Sequence, residues 1–322
     1  MQLLFSGTIP SRDEPRGIRA LLGVLDTESG EIIHRCEYRR PADLWFEGQK
    51  VQFTGFCFAH GALWVCSHNE IVRYDDWPPR RPTGRISIQG FNDLHHCIPW
   101  RGALAVANTG LETIDIVSLE GELLERWDLL LGLPGARRID PGIDYRMLDD
   151  TKPHHRHPNH LFTLRDELWT SQLQTSDAIC VTTPGARIDL AVGMPHDGDI
   201  VNGELLFTTV NGFIVFANLD PPFVTKPHDL NPLTPELNQL GWCRGVCADP
   251  QQEGRFFVGF SKVRRTRWKD LGFRVKHGHT VPLGRISHYD LYEGKLLREY
   301  GMGSDPGITI FQICVLPERL QL

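Results

Sequence analysis

His95-His96-Cys97-Ile98-Pro99-Trp100-Arg101-Gly102-Ala103-Leu104-Ala105-Val106-Ala107-Asn108 is the stretch whose reading decides the fold. Two apolar runs flank the tight polar turn at Arg101-Gly102, which makes them neighbouring antiparallel strands. Asn108-Thr109-Gly110 closes the second run as another turn, and Thr113-Ile114-Asp115-Ile116-Val117 supplies a third strand. The unit is a meander of short strands.

The same unit recurs along the chain. Its turns align as His60-Gly61-Ala62-Leu63, Arg101-Gly102-Ala103-Leu104, Arg165-Asp166-Glu167-Leu168 and Asn202-Gly203-Glu204-Leu205, each followed by an apolar strand. The second positions of these turns lie 41, 64 and 37 residues apart, and repeats of roughly 40 to 50 residues are the period of four-stranded propeller blades. The longer interval places an insertion at about 130–156, rich in Gly and Pro and followed by histidines. A fifth unit starts near Gly241-Trp242-Cys243-Arg244-Gly245 and carries a second insertion at about 262–284, which contains a basic run from Lys262 to Arg267 that continues to Lys276.

The terminal segments complete the count. Ile308–Leu316 has nothing after it to pair with, while Ala20–Leu25 and Glu31–Tyr38 form a hairpin that lacks an inner strand. Joining them predicts a sixth blade and a ring closed by the N- and C-terminal strands, which leaves no exposed sheet edge at the seam. The expectation is therefore an all-β, six-bladed propeller formed as one domain over residues 1–322. Five blades follow if the terminal strands extend existing blades, and a β-sandwich is the remaining alternative.

Composition fits an ordinary globular core: 41% hydrophobic and 23% charged residues among 322. The formal charge of −6 argues against a nucleic-acid partner, because a phosphate-tracking surface needs an excess of Lys and Arg. No apolar stretch approaches the roughly 20 residues that cross a bilayer, and no basic leader precedes the short apolar start, so neither a membrane partner nor a signal peptide is expected. Eight cysteines without CxxC spacing read as buried thiols of a reducing compartment, which points to a cytoplasmic protein.

In a propeller the first strand of each blade lines the channel, so equivalent positions on those strands converge on one axis. Counting back five residues from each aligned turn gives Gly55, His96, His160 and Asp197, and counting back six gives Thr54, His95, Asn159 and His196. Arg244 and Gln312 are the polar residues nearest the same level in the remaining blades. Converging imidazoles suit a divalent transition metal, zinc, iron, manganese or copper, so His95, His96, His160 and His196 are candidate metal ligands. Asp197 and Asp199 are candidate catalytic bases, and Tyr145, Arg244 and Gln312 are candidate substrate-binding residues. His154, His155 and His157 read as a solvated loop or as a cap on the funnel; His277, His279 and His288 read as surface or structural. Trp64, Trp100, Trp127 and Trp169 read as packing between blades.

The unit from His95-His96-Cys97-Ile98-Pro99 through Ala107-Asn108-Thr109-Gly110 to Ile114-Asp115-Ile116-Val117 resembles the blades of bacterial propellers of the NHL, SMP-30/gluconolactonase and peptidyl-α-hydroxyglycine lyase group. That resemblance implies a divalent metal in the channel and lactonase or lyase chemistry. The Glu, two Asn and Asp of the lactonases are not legible here, and the channel histidines of the lyase are the closer analogy. The expected function is a metal-dependent lyase or hydrolase acting on a small polar metabolite or peptide-derived substrate. The alternatives are a metal-free binding or protein-interaction propeller and a multi-histidine iron oxygenase.

Overall fold

The computed structural model describes residues 1–12, 17–41, 50–136, 138–234, 240–261, 284–303 and 307–322. Within them the chain forms six four-stranded antiparallel sheets arranged as a β-propeller. The N-terminal strands are β1 (Gln2–Pro10), β2 (Ile18–Asp26) and β3 (Ile32–Tyr38). The second blade holds β4 (Phe56–Ala59), β5 (Ala62–Cys66), β6 (Ile71–Tyr74) and β7 (Gly84–Ile86). The third holds β8 (Leu94–Trp100), β9 (Ala103–Asn108), β10 (Thr113–Val117) and β11 (Leu123–Asp128). The fourth holds β12 (Pro158–Leu164), β13 (Glu167–Gln172), β14 (Asp177–Cys180) and β15 (Arg187–Asp189). The fifth holds β16 (Asp199–Val201), β17 (Glu204–Thr209), β18 (Phe213–Ala217) and β19 (Thr225–Asp229), and the sixth β20 (Trp242–Ala248), β21 (Arg255–Ser261), β22 (Arg285–Asp290) and β23 (Lys295–Gly301). The last strand, β24 (Thr309–Val315), returns to the first blade, whose order is β24-β1-β2-β3.

The aligned turns have a common backbone reason. His60 and Gly61, Arg101 and Gly102, Arg165 and Asp166, and Asn202 and Gly203 all adopt positive φ, the geometry of a two-residue hairpin turn whose twist matches the strands it joins. Glycine takes that conformation without steric cost, which is why it recurs at three of the four second positions.

Each junction between blades owns one apolar cluster. Tyr38, Phe53, Phe56 and Tyr74 fill the first-to-second junction, and Trp64, Cys66, Leu94 and Cys97 the next. Trp100, Ala105, Leu161 and Leu168 join the third and fourth blades, and Phe162, Trp169, Leu205 and Phe207 the fourth and fifth. Leu206, Ile214, Phe256 and Tyr289 follow, and Phe5, Phe257, Ile286 and Ile310 close the circle. The four tryptophans expected between blades are there: Trp64, Trp100 and Trp169 are buried in these clusters, and Trp127 packs against one. A propeller has no central core, so its stability is the sum of these wedges.

The closing seam is long. β24 pairs antiparallel with β1 from Leu3 opposite Val315 to Thr8 opposite Thr309. Beyond the ladder, the Leu316 N–H donates to the Gln2 carbonyl at 2.9 Å, and the Gln2 side chain exchanges hydrogen bonds with Leu322 at 2.6 and 2.9 Å.

The insertion at 130–156 folds back over the ring. A single 3₁₀ turn at Tyr145–Met147 is tied down by Asn92, whose Nδ2 donates to the carbonyls of Tyr145 and Leu148 at 2.8 and 2.9 Å, and by Asn69 Nδ2 to the Arg146 carbonyl at 3.2 Å. The basic run at Lys262–Lys276, with His277 and His279, lies outside the described residues. His288 sits on an outer strand, stacked on Phe257 and 3.1 Å from Asp249, in a structural setting as expected. No helix of the described residues is long and apolar enough to cross a membrane.

Deleting residues 308–322 removes β24 together with the buried side chains of Ile310, Phe311 and Ile313. Truncating even one such side chain costs about 2–5 kcal/mol against a total stability of about 5–15 kcal/mol. The truncated chain is expected to lose its cooperative thermal transition by near-ultraviolet circular dichroism; an unchanged melt would show that the ring closes elsewhere.

Candidate functional site

The inner strands interrupt their ladders at one common level. Bulges fall between Leu94 and His96 in β8, between Pro158 and His160 in β12, and between Cys243 and Val246 in β20. The β1–β24 register slips by one residue at Phe311. In the fifth blade the regular pairing lapses between the bridge Pro195–Thr209 and the pair Asp199–Leu206, where the His196 N–H still donates to the Thr208 carbonyl at 3.0 Å. A bulge bends its strand and re-aims the extra side chain, and here it turns His95, Asn159, Arg244 and Phe311 at the level of the axis. In the second blade the corresponding residue is Gly55. A Cβ there would come within 2.5 Å of the His95 carbonyl oxygen and closer still to the His96 ring.

The polar groups freed by the bulges bind across the junctions. Phe56 N–H donates to Gln312 Oε1 at 2.6 Å, joining the first and second blades. Thr54 Oγ1 donates to the Leu94 carbonyl at 2.7 Å, and Gly55 N–H to the His95 carbonyl at 2.6 Å. Leu161 N–H donates to His96 Nδ1 at 3.1 Å, and Asn159 Nδ2 to the Pro195 carbonyl at 3.0 Å. Gly245 N–H donates to Asp197 Oδ2 at 2.9 Å, and Ser261 Oγ to the Ile310 carbonyl at 2.6 Å. Every junction of the ring carries at least one such bond.

Inside this belt stands a cluster of imidazoles. His95, His160 and His196, with Thr54, Gly55, Asn159, Asp197, Phe311 and Gln312, line a void of about 10 Å³, the space of one water molecule. His196 Nδ1 lies 3.3 Å from Asp197 Oδ1, and His95 Nε2 lies 3.7 Å from Asp93 Oδ2. The two rings face each other with centroids 6.5 Å apart. Asp93 also stands 3.7 Å from His68 Nδ1. Above His95, the ring of His157 lies perpendicular at 5.0 Å, and His157 Nδ1 is 2.7 Å from His154 Nδ1. His154 and His157 therefore belong to a cap on the cluster, while His155 is exposed. That loop is held by Glu112, a buried carboxylate whose Oε1 accepts from the backbone N–H groups of His155, Arg156 and His157.

Burial sets the protonation states. It holds His96, His154, His157 and His160 below the ordinary imidazole range and lowers His196 to about 4, so these five rings are neutral at pH 7. Burial also works to raise the Asp93 and Asp197 carboxyls, but the bonds and charges of His68 and His95 on one, and of His196, His160 and Thr208 on the other, bring both below their ordinary values.

The positions predicted from the turns do meet at one level, but their lone pairs do not meet at one point. His96 stacks on His160 with centroids 3.7 Å apart and planes 17° from parallel. In-plane lone pairs of parallel rings run side by side, so no point lies in line with both, and His96 Nδ1 already accepts from Leu161. Among the described residues no three His, Cys, Asp or Glu side chains are disposed to hold one metal ion. The donors fit a transition metal in kind and not in arrangement. Asp197, expected as a base, accepts from Thr208 Oγ1 and Gly245 N–H on Oδ2 and faces His196 Nδ1 with Oδ1. Asp199 lies at the exposed start of β16 and accepts from the N–H of Ile200 at 2.7 Å. Tyr145 is buried in the 130–156 loop, its hydroxyl accepting from Asp140 N–H at 2.9 Å, and it does not line the void. Arg244 is clamped between the rings of Trp242 and Phe311, 4.8 and 4.5 Å from their centroids, close enough to His196 to disfavour its charged form. Gln312 lines the void.

No protein-family model matches the chain, and no curated protein does. Solved structures do. A protein of unknown function from Bacteroides caccae superposes with a TM-score of 0.61 at 15% identity over 97% of both chains. A putative 6-phosphogluconolactonase from Bacteroides fragilis gives 0.55 at 10% identity over 98% of both chains, and a streptogramin B lyase 0.53 at 10% identity over 94% of this chain and 84% of that one. At such identities the likeness is one of fold, and the chain is similar to these proteins as a β-propeller.

Two expectations follow. Replacing Gly55 by Ala forces the His95–His96 backbone apart and is expected to cost about 1–3 kcal/mol, read as a lower denaturant midpoint with an unchanged slope. The neutral rings set a pH dependence of the same sign as that of paired carboxylates, in a window at higher pH. As pH falls below about 6.5 the unfolded chain binds protons that the folded rings refuse, so stability drops through the window from there to about 4. His196 alone accounts for roughly 3 kcal/mol across that window. The thermal midpoint should fall between pH 7.5 and pH 5, and fall less in His196→Gln; a flat profile would contradict the burial of these rings as neutral groups.

Proposed function

We infer that the protein is an enzyme of the lyase or hydrolase type, acting on a small polar substrate at the axial imidazole cluster. The observation that carries this reading is a pair of carboxylate-backed histidines, Asp93–His95 and Asp197–His196, facing each other across a void of one water's size. With Nδ1–H donated to Asp197, His196 keeps a lone pair on Nε2, which is buried and has no partner among the described residues. That is the state of a general base. His95, with the Asp93 carboxylate 3.7 Å from its Nε2, is placed to stabilise charge that develops as the proton leaves.

Such a pair performs elimination when the base takes a proton from carbon, and hydrolysis when it takes one from a water in the void. The void admits only the reacting group, so the body of the substrate lies on the face roofed by residues 130–157. The propeller scaffold is no guide to the choice, because fold and function are separable. A divalent metal enters as an alternative outcome, since the donor types suit one.

The test uses δ-gluconolactone, p-nitrophenyl acetate and a streptogramin B as probes, with elemental analysis of the same preparation. Turnover of a probe is expected to fall about 10²- to 10⁴-fold in His95→Ala and in His196→Ala, and to be unchanged in His288→Ala. Turnover that survives both substitutions removes the acid–base reading. A stoichiometric metal that is lost in either variant replaces it with a metal-dependent one, and a protein that turns over none of the probes and carries no metal favours a binding propeller.

A further inference from the structure

A second hollow lies away from the axial cluster. β4 and β24 leave the level of the void beyond Gly55 and at Gln312, and five residues further on the chain reaches His60 and Pro317, a span of about 16 Å. There the β4–β5 hairpin, the end of β6 and the C-terminal turn enclose about 370 Å³, within the range of about 300–1,000 Å³ that small ligands occupy. We propose that this pocket is a second binding site, and that it takes a zwitterion with an aromatic body, an aromatic α-amino acid.

The apolar part of the pocket is built from rings that the fold leaves facing water. Phe58 stands on an inner strand and is nevertheless 39% exposed. Its ring meets that of Trp77 edge to face, with centroids 5.5 Å apart and planes at 64°. Trp77 is fixed: its indole N–H donates to the Leu320 carbonyl, and both residues pack against the apolar cluster of the first two blades, to which buried Leu63 belongs. A third ring seated on this pair covers apolar surface and adds the edge and face contacts that aromatic groups favour.

Two charges complete the site. Asp75 is already paired with Arg73 at 2.6 Å. Its neighbour Asp76 has no hydrogen bond or ion pair among the described residues, and neither has Arg319; both line the pocket, both are exposed, and no ion pair joins them. A carboxylate and a guanidinium beside one apolar hollow, each without a counter-charge, complement an ammonium and a carboxylate carried on one small molecule. One wall, the C-terminal turn, stands in place through the hydrogen bonds of Gln2 with Leu322. The ligand therefore binds the closed ring and not the unfolded chain, and raises the melting transition. The site is independent of the acid–base reading of the central cluster.

The experiment is calorimetric titration of the full chain with L-phenylalanine and with two analogues that each lack one charge, phenethylamine and N-acetyl-L-phenylalanine. The indole N–H resonance of Trp77, identified with Trp77→Phe, locates the ligand. Phenylalanine is expected to bind, to move that resonance and to raise the melt, and each analogue to bind about tenfold more weakly. Asp76→Asn should erase the preference for phenylalanine over its N-acetyl form, and Arg319→Gln the preference over phenethylamine. Phe58→Ala should weaken all three, and His95→Ala, at the axial cluster, none. The proposal fails if millimolar phenylalanine leaves the Trp77 resonance unmoved, if the analogues bind as tightly as phenylalanine, if the preferences survive both charge substitutions, or if His95→Ala abolishes binding, which would put the ligand at the void.

Discussion

The hydrogen-bonded belt around the axis is the constraint on which the rest of the molecule depends. Six strands approach one line, and most of them interrupt their own ladders there. A broken ladder leaves buried N–H and C=O groups, and a buried group without a partner costs about 1–3 kcal/mol. The chain meets that demand across the junctions, through Thr54, His96, Asn159, Asp197, Ser261 and Gln312. Two of these six are among the side chains that read as ligands or bases. His96 and Asp197 hold neighbouring blades together, and the imidazoles that line the void outside the belt are His95, His160 and His196.

This division explains why substitutions in the belt and in the cluster will behave differently. Gln312 and Asn159 hold the geometry within which the imidazoles stay dry, and loss of either lets water reach rings whose neutrality depends on burial. The apolar clusters between blades act in series with the belt. Each wedge contacts only its two neighbours, so a weakened junction lowers the sum on which the closed ring depends.

The fold was largely legible in the sequence because a propeller repeats its turn. Four hairpins with positive φ at both central residues leave the same mark each time, and the missing inner strand of the first blade pointed directly at Ile308–Leu316. Counting back from the four aligned turns reached the level of the void in those blades, through Thr54, Gly55, His95, Asn159, His160, His196 and Asp197. It could not reveal which way each side chain leaves the strand. A bulge at His95 and another at Asn159 rotate adjacent residues, so that His96 stacks on His160 while His95, His160 and His196 line the void; positions that converge on one level need not bring their lone pairs to one point. Asp93, Glu112 and His68 escaped altogether, because they lie on connections outside the repeat and carry no periodic signal. The order Asp93-Leu94-His95 was the one local hint, a carboxylate two residues before an imidazole. The HHRH segment 154–157 was read mainly as solvated, since nothing in its own composition shows that Glu112, more than forty residues earlier, gathers its backbone.

The seam between β24 and β1 also fixes when the protein can exist during synthesis. Every other blade is contiguous in sequence and can form as its own strands leave the ribosome, but the first blade waits for a strand made some three hundred residues later. Until then β1 presents an unpaired edge and the void has no Phe311 or Gln312 wall. Chains stalled before that point are open arcs with a ready-made template for pairing with one another. The nascent protein is thus exposed to association for nearly the whole of its translation, and its quality control falls on the final turn of the ring.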